Sequence, residues 1–85
     1  MSAGAAPRPL YKIAGEIRAT WPKVNYAAEP YLSAMSSLMR VSDTYGYDSG
    51  ESIVIYFLSN ARSYRGEAAK RIKLELKSAL KGEGY

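Results

Sequence analysis

The first places to look for enzyme chemistry in this chain are its carboxylates and serines, because the sequence contains neither cysteine nor histidine. That removes the thiolate and imidazole groups that hold zinc and most transition metals, and it excludes disulfides. The carboxylates are Glu16, Glu29, Asp43, Asp48, Glu51, Glu67, Glu75 and Glu83. Asp48 and Glu51 have the spacing of a capping box that opens a helix. Glu16, Glu67 and Glu75 stand beside basic residues on polar faces, where carboxylates stay solvated or paired and do not form an acid–base couple. The stretch from Asp43 to Glu51 is rich in Asp, Ser and Gly, as calcium loops are, yet Tyr45 and Tyr47 occupy positions where oxygen ligands would fall. A serine nucleophile without histidine would need another base, and no Gly-x-Ser-x-Gly turn or glycine-rich phosphate loop is present. The sequence therefore predicts a non-enzymatic protein with no metal and no cofactor.

Two features point instead to binding. Lys70, Lys73, Lys77 and Lys81 fall in one stripe at the helical period of about 100° per residue, with Leu74 at its border and Arg62 and Arg65 just before it. Such a stripe could displace counterions from nucleic acid. Lysines on amphipathic helices more commonly lay their methylene stems over the edge of a core and keep their charges in water, and this stripe lacks arginine forks. The second feature is eight tyrosines against one phenylalanine. So many hydroxyls cannot all find buried partners in a small domain, and exposed tyrosine is enriched where proteins meet. Tyr45 and Tyr47, beside the acidic Asp48 and Glu51, form the candidate partner surface.

The elements that would carry these residues can be read from hydrophobic period and punctuation. Leu10, Ile13, Ala14, Ile17 and Trp21 make one helical stripe, bounded by Pro9 and Pro22. A second stripe runs Ala28, Tyr31, Met35, Leu38, Val41 and Tyr45, with Pro30 in its first turn and Gly46 as its stop. The Asp48–Glu51 box then opens a third helix through the apolar run Ile53 to Leu58. That run could also be a buried strand, but no second such run exists to pair with it. Ala69, Ile72, Leu76, Ala79 and Leu80 form the face of a fourth. The expected fold is all-α, a compact bundle of four short helices at about 9–21, 29–45, 49–62 and 65–81, around a central apolar third helix.

Eighty-five residues suffice for one core, so a single domain over residues 9–82 is expected, with a loose tail at 1–8 and a frayed end at 83–85. Apolar residues make up 47% of the chain but never run to the ~18 that a membrane span needs. A soluble, cytoplasmic protein with no membrane partner is expected. The net charge of +4 is modest but unevenly placed: residues 41–61 carry three acidic groups and no basic ones, whereas residues 62–85 carry seven basic and three acidic.

The succession Glu16-Ile17-Arg18 with Trp21, Asn25-Tyr26-Ala27-Ala28-x-Pro30-Tyr31-Leu32-x-Ala34-Met35, Tyr45-Gly46-x-Asp48-Ser49, Tyr56-Phe57-Leu58-x-Asn60-Ala61 and Arg65-Gly66-Glu67-x-Ala69-x-Arg71-Ile72-Lys73-x-Glu75-Leu76-Lys77 resembles short proteins of actinobacteriophages and Gram-positive bacteria. The resemblance covers about residues 10 to 81. It implies a phage or prophage setting and, by analogy with small phage proteins, a regulator or host-directed factor that acts by binding. It implies no activity and no site residue. A protein partner met through the tyrosine-bearing surface is the first expectation. Non-specific nucleic-acid binding through the basic stripe is the second, and self-association through Leu74 and exposed tyrosines the third.

Overall fold

Pro9 holds an extended backbone and carries no N–H to satisfy, so the first helix begins directly after it as α1, Leu10–Thr20. The computed structural model describes residues 8–81, and the expected tail before Arg8 and the expected frayed end lie outside the described residues. The other helices are α2, Glu29–Met35, α3, Gly50–Ser59, and α4, Glu67–Leu80. Between α2 and α3 lies an antiparallel pair of two-residue strands, β1 (Thr44–Tyr45) and β2 (Asp48–Ser49), in which Thr44 faces Ser49 and Tyr45 faces Asp48. The fold is mostly helical, with four helices as expected, but it is not purely α.

The expected second helix, 29–45, is the main correction: α2 stops at Met35. Its successor residues have tertiary work that helical geometry would forbid. The amides of Leu10 and Tyr11, orphaned at the start of α1, donate to the carbonyls of Met39 and Leu38 at 3.0 and 2.9 Å. The Asp43 carboxylate accepts from the amides of Met39 and Arg40, both at 3.1 Å, and closes this turn from within. Ser36 adds a local competitor, its hydroxyl donating back to the carbonyl of Leu32 at 3.1 Å. Gly46 does take the left-handed conformation, with φ of 65°, but as the first central residue of a hairpin turn and not as a helix stop.

The start of α3 is also shifted from expectation. Its cap is Ser49, whose hydroxyl accepts from the amide of Ser52 at 3.1 Å, while Asp48 lies in β2 opposite Tyr45. The next two orphan amides donate into the preceding loop, Gly50 to the carbonyl of Asp43 and Glu51 to that of Val41 at 2.9 Å.

Helix α1 packs against α2 and α4, and α3 packs against the same two, so the four helices close a ring. The molecule measures 34 × 32 × 18 Å. With a helix about 10–12 Å across, that thickness is two helices deep, and no helix is enclosed on every side. The apolar third helix is accordingly not the central element expected: Ile53, Val54 and Phe57 are buried, but Ile55 and Tyr56 are exposed.

The stripe of α1 is buried as its spacing predicts, and so are Ala69, Ile72, Leu76 and Ala79 of α4. Where α1, α3 and α4 meet, the Trp21 ring stacks on Tyr64 with centroids 5.1 Å apart and meets Phe57 edge-on at 6.2 Å. The buried Tyr64 hydroxyl is satisfied by Thr20 Oγ1 at 2.6 Å. Fully burying a ring such as Phe57 contributes about 1.5–3 kcal/mol.

Candidate functional site

The structure places Tyr45, Tyr47 and Asp48 in the hairpin and Glu51 in the first turn of α3 that follows it. Tyr47 sits in the turn of the hairpin with its side chain fully exposed, and Tyr45 is about half exposed. Asp48 and Glu51 are exposed beside them. What holds this small hairpin is its base. Gly50 packs so closely on the preceding loop that a Cβ there would lie 2.8 Å from the carbonyl oxygen of Arg40 and 2.9 Å from that of Val41. Together with the Asp43 contacts, this fixes the hairpin to the start of α3.

Of the candidate nucleic-acid residues, Arg62, Arg65, Lys70, Lys77 and Lys81 are exposed, whereas Lys73 is partly buried. Lys73 Nζ donates to the carbonyl of Tyr64 at 2.7 Å and lies 5.8 Å from that ring's centroid. Burial pushes the Lys73 pKa below its ordinary value, and the charges of Lys77 and Arg65 push it the same way. Lys73 is thus within electrostatic reach of both Lys77 and Arg65, and none of the six candidates forms an ion pair among the described residues.

The other flank of α4 is built differently. Arg8 forms a bidentate pair with Glu75, at 2.9 and 2.7 Å, and a second pair with Glu16 at 2.8 Å; Arg71 also binds Glu16. This chain of charges ties α1 to α4. At the opposite end of α1, Arg18 grips Glu29 at 3.1 and 2.8 Å and reaches Ser33. The Glu16 pKa is lowered by its hydrogen bond from Arg71 and then by that from Arg8, and the Glu29 pKa by Arg18.

Sequence reasoning placed Glu16 and Glu75 beside basic residues without finding these partners. Arg8 and Glu75 are 67 positions apart in the chain, and no local spacing signals such a pair. It also passed over the Ser-x-x-Lys spacing of Ser78 and Lys81 on α4. Both side chains lie exposed on the outer face of that helix, whereas a lysine that serves a serine nucleophile as base must be desolvated. Leu74 is exposed, as expected, in an open groove with Lys70, Arg71 and Glu75. Of the remaining tyrosines, Tyr26 and Tyr11 are exposed, Tyr31 and Tyr56 approach each other at 5.5 Å, and Tyr85 lies outside the described residues.

No family model, curated protein or solved structure matches the chain. The functional reading rests on the two surfaces themselves. No helix among the described residues is long and apolar enough to cross a membrane.

Proposed function

We propose that this chain is a non-enzymatic binding protein that meets a partner protein through the hairpin surface of Tyr45, Tyr47, Asp48 and Glu51. One observation carries the reading: Tyr47 stands wholly in solvent at the tip of a hairpin whose base is packed backbone to backbone. An aromatic ring in that position buries nothing in the fold. It offers contact area with few rotatable bonds to freeze, on a support that is already ordered. Asp48 and Glu51 would give the contact an acidic rim, which favours a partner with basic or amide groups around an apolar pocket. The want of histidine and cysteine supports a role without catalysis, and the likeness to short phage proteins supports a regulatory or host-directed one.

The test is site-specific cross-linking in cells, with a photoreactive phenylalanine analogue in place of Tyr47 and, as the control, in place of the equally solvent-facing Tyr26. The expected result is a discrete adduct with one foreign protein from position 47, lost when Tyr45→Ala and Glu51→Gln are added, and absent from position 26. The same adducts from both positions would overturn the reading. An adduct between two copies of the chain would replace it with self-association.

A further inference from the structure

We infer that the lysine flank of α4, with Arg62 and Arg65 beside it, is a second and separate contact surface, shaped for the phosphate backbone of duplex nucleic acid and indifferent to base sequence. The inference does not rest on the hairpin reading.

It begins with the contrast between the two flanks of one helix. Facing α1, the cation of Arg71 is neutralised by Glu16, and Glu75 by Arg8. On the flank facing the α3–α4 connection, Lys73 lies within reach of the charges of Lys77 and Arg65, Arg62 and Lys81 are exposed, and Lys70 is exposed at the border of the groove that also holds Glu67, Arg71 and Glu75; among the described residues none of the six forms an ion pair. Like charges held together without a counter-charge oppose one another in the free protein and are relieved by a bound polyanion. Lys73 adds order to the set, since its bond to the Tyr64 carbonyl fixes its ammonium against the α3–α4 connection. From Lys70 to Lys81 the stripe extends roughly 16 Å at ~1.5 Å per residue, a length that accompanies about five phosphates of one strand at ~3.4 Å each.

The same neighbourhood decides which nucleic acid fits. Single strands are held by stacking bases on exposed aromatic rings, but the ring beside Lys73, that of Tyr64, is buried against Trp21. Reading base edges calls for Asn, Gln or forked Arg contacts. The chain has no Gln, and its two Asn side chains are occupied with backbone groups, Asn60 on the carbonyl of Tyr56 and Asn25 on the amide of Ala27. Charge that is mostly lysine, with Arg62 and Arg65 as the side chains of the set able to fork toward a base edge, describes contact chiefly to the backbone of a duplex.

The experiment is fluorescence anisotropy with two labelled DNA duplexes of unrelated sequence, one of their single strands, and poly-glutamate as a competing acidic polypeptide, at 50 and 200 mM salt. The full chain should bind both duplexes alike and more tightly than the single strand. Neutralising about four phosphates, it should lose roughly a hundredfold in affinity between the two salt concentrations. The Lys70→Gln, Lys77→Gln, Lys81→Gln variant, all at exposed positions, should lower the slope of log affinity against log salt by about 2.7, at ~0.9 per contact. A Lys12→Gln, Lys23→Gln control, exposed elsewhere, should leave binding nearly unchanged. Absence of binding at 50 mM, preference for the single strand, equal loss in the control, or displacement by poly-glutamate at matched charge would each overturn the proposal.

Discussion

A methyl group at Gly50 would meet backbone atoms of Arg40 and Val41 at 2.8 to 3.0 Å, and backbone cannot turn aside as a long side chain can. The Gly50→Ala variant must therefore displace the loop from the start of α3, together with the amide bonds of Gly50 and Glu51 that cross the same contact. We expect it to lose about 1–3 kcal/mol of stability in urea unfolding, in the range of overpacked sites. Gly15→Ala is the control: it lies inside α1 with nothing within 4 Å of the added carbon, and it should gain about 0.5–1 kcal/mol from helix propensity. Equal behaviour of the two variants would show that the contact at Gly50 is not tight. The sequence hid this residue's role because Gly50 adjoins a plausible cap, Asp48 with Glu51, and the cap proved to be Ser49 one place later. Capping boxes tolerate such slips on paper, since serine and aspartate serve equally well.

Elements whose boundaries are written in local chemistry were legible. Pro9 and Pro22 bracket α1, and the face of α4 is periodic along its whole length, so both lie close to their expected ranges with the expected residues buried, except Leu80, which is partly buried. The second helix failed because Ala28, Tyr31, Met35, Leu38 and Tyr45 keep helical period across a segment that tertiary hydrogen bonds bend. The carbonyls of Leu38 and Met39 serve α1, which lies far away in sequence, and no pattern inside residues 36–43 announces that duty. The hairpin could not be foreseen for the same reason, with two-residue strands too short for alternation to register. This arrangement predicts a specific coupling. In Asp43→Ala the amides of Met39 and Arg40 lose their acceptor, and the loss should travel to Leu10 and Tyr11, which depend on the same turn. Hydrogen exchange should show faster exchange at all four amides and unchanged protection in the middle of α4, with a global cost of about 1–2 kcal/mol. Exchange that quickened only at Met39 and Arg40 would mean that the turn does not cap α1.

Charge organises the whole molecule more visibly than hydrophobicity does. The acidic hairpin and the basic Arg62–Arg65 connection lie at opposite ends of α3, roughly 15 Å apart at ~1.5 Å per residue. Arginines, by contrast, join helices to one another: Arg8 and Arg71 span α1 and α4 through Glu16 and Glu75, and Arg18 spans α1 and α2 through Glu29. In the sequence all of these charges look alike, and only the fold separates those that cross-link helices from those left facing solvent. The separation has a consequence for pH. Glu16 and Glu29 titrate below their ordinary value of 4.5 in the folded protein, so the unfolded chain binds protons first as acid is added. Their contribution to stability is complete above that ordinary value and is lost as the pH falls through the lowered folded values. Lys73 acts at the alkaline end, where its lowered pKa makes the folded state easier to hold as its ammonium loses its proton below the ordinary 10.5. The urea midpoint should therefore be flat near neutrality and drop below about pH 4.5. In Glu16→Gln the midpoint should start lower at pH 7 and fall less steeply in acid, because one linked carboxylate is gone. Since the charges around Glu16 are still partly open to solvent, 1 M salt should narrow the difference between wild type and variant. A variant whose acid limb runs parallel to that of the wild type would locate the acid sensitivity in other carboxylates, and would mean that the bridge from α1 to α4 contributes little to holding the ring of helices closed.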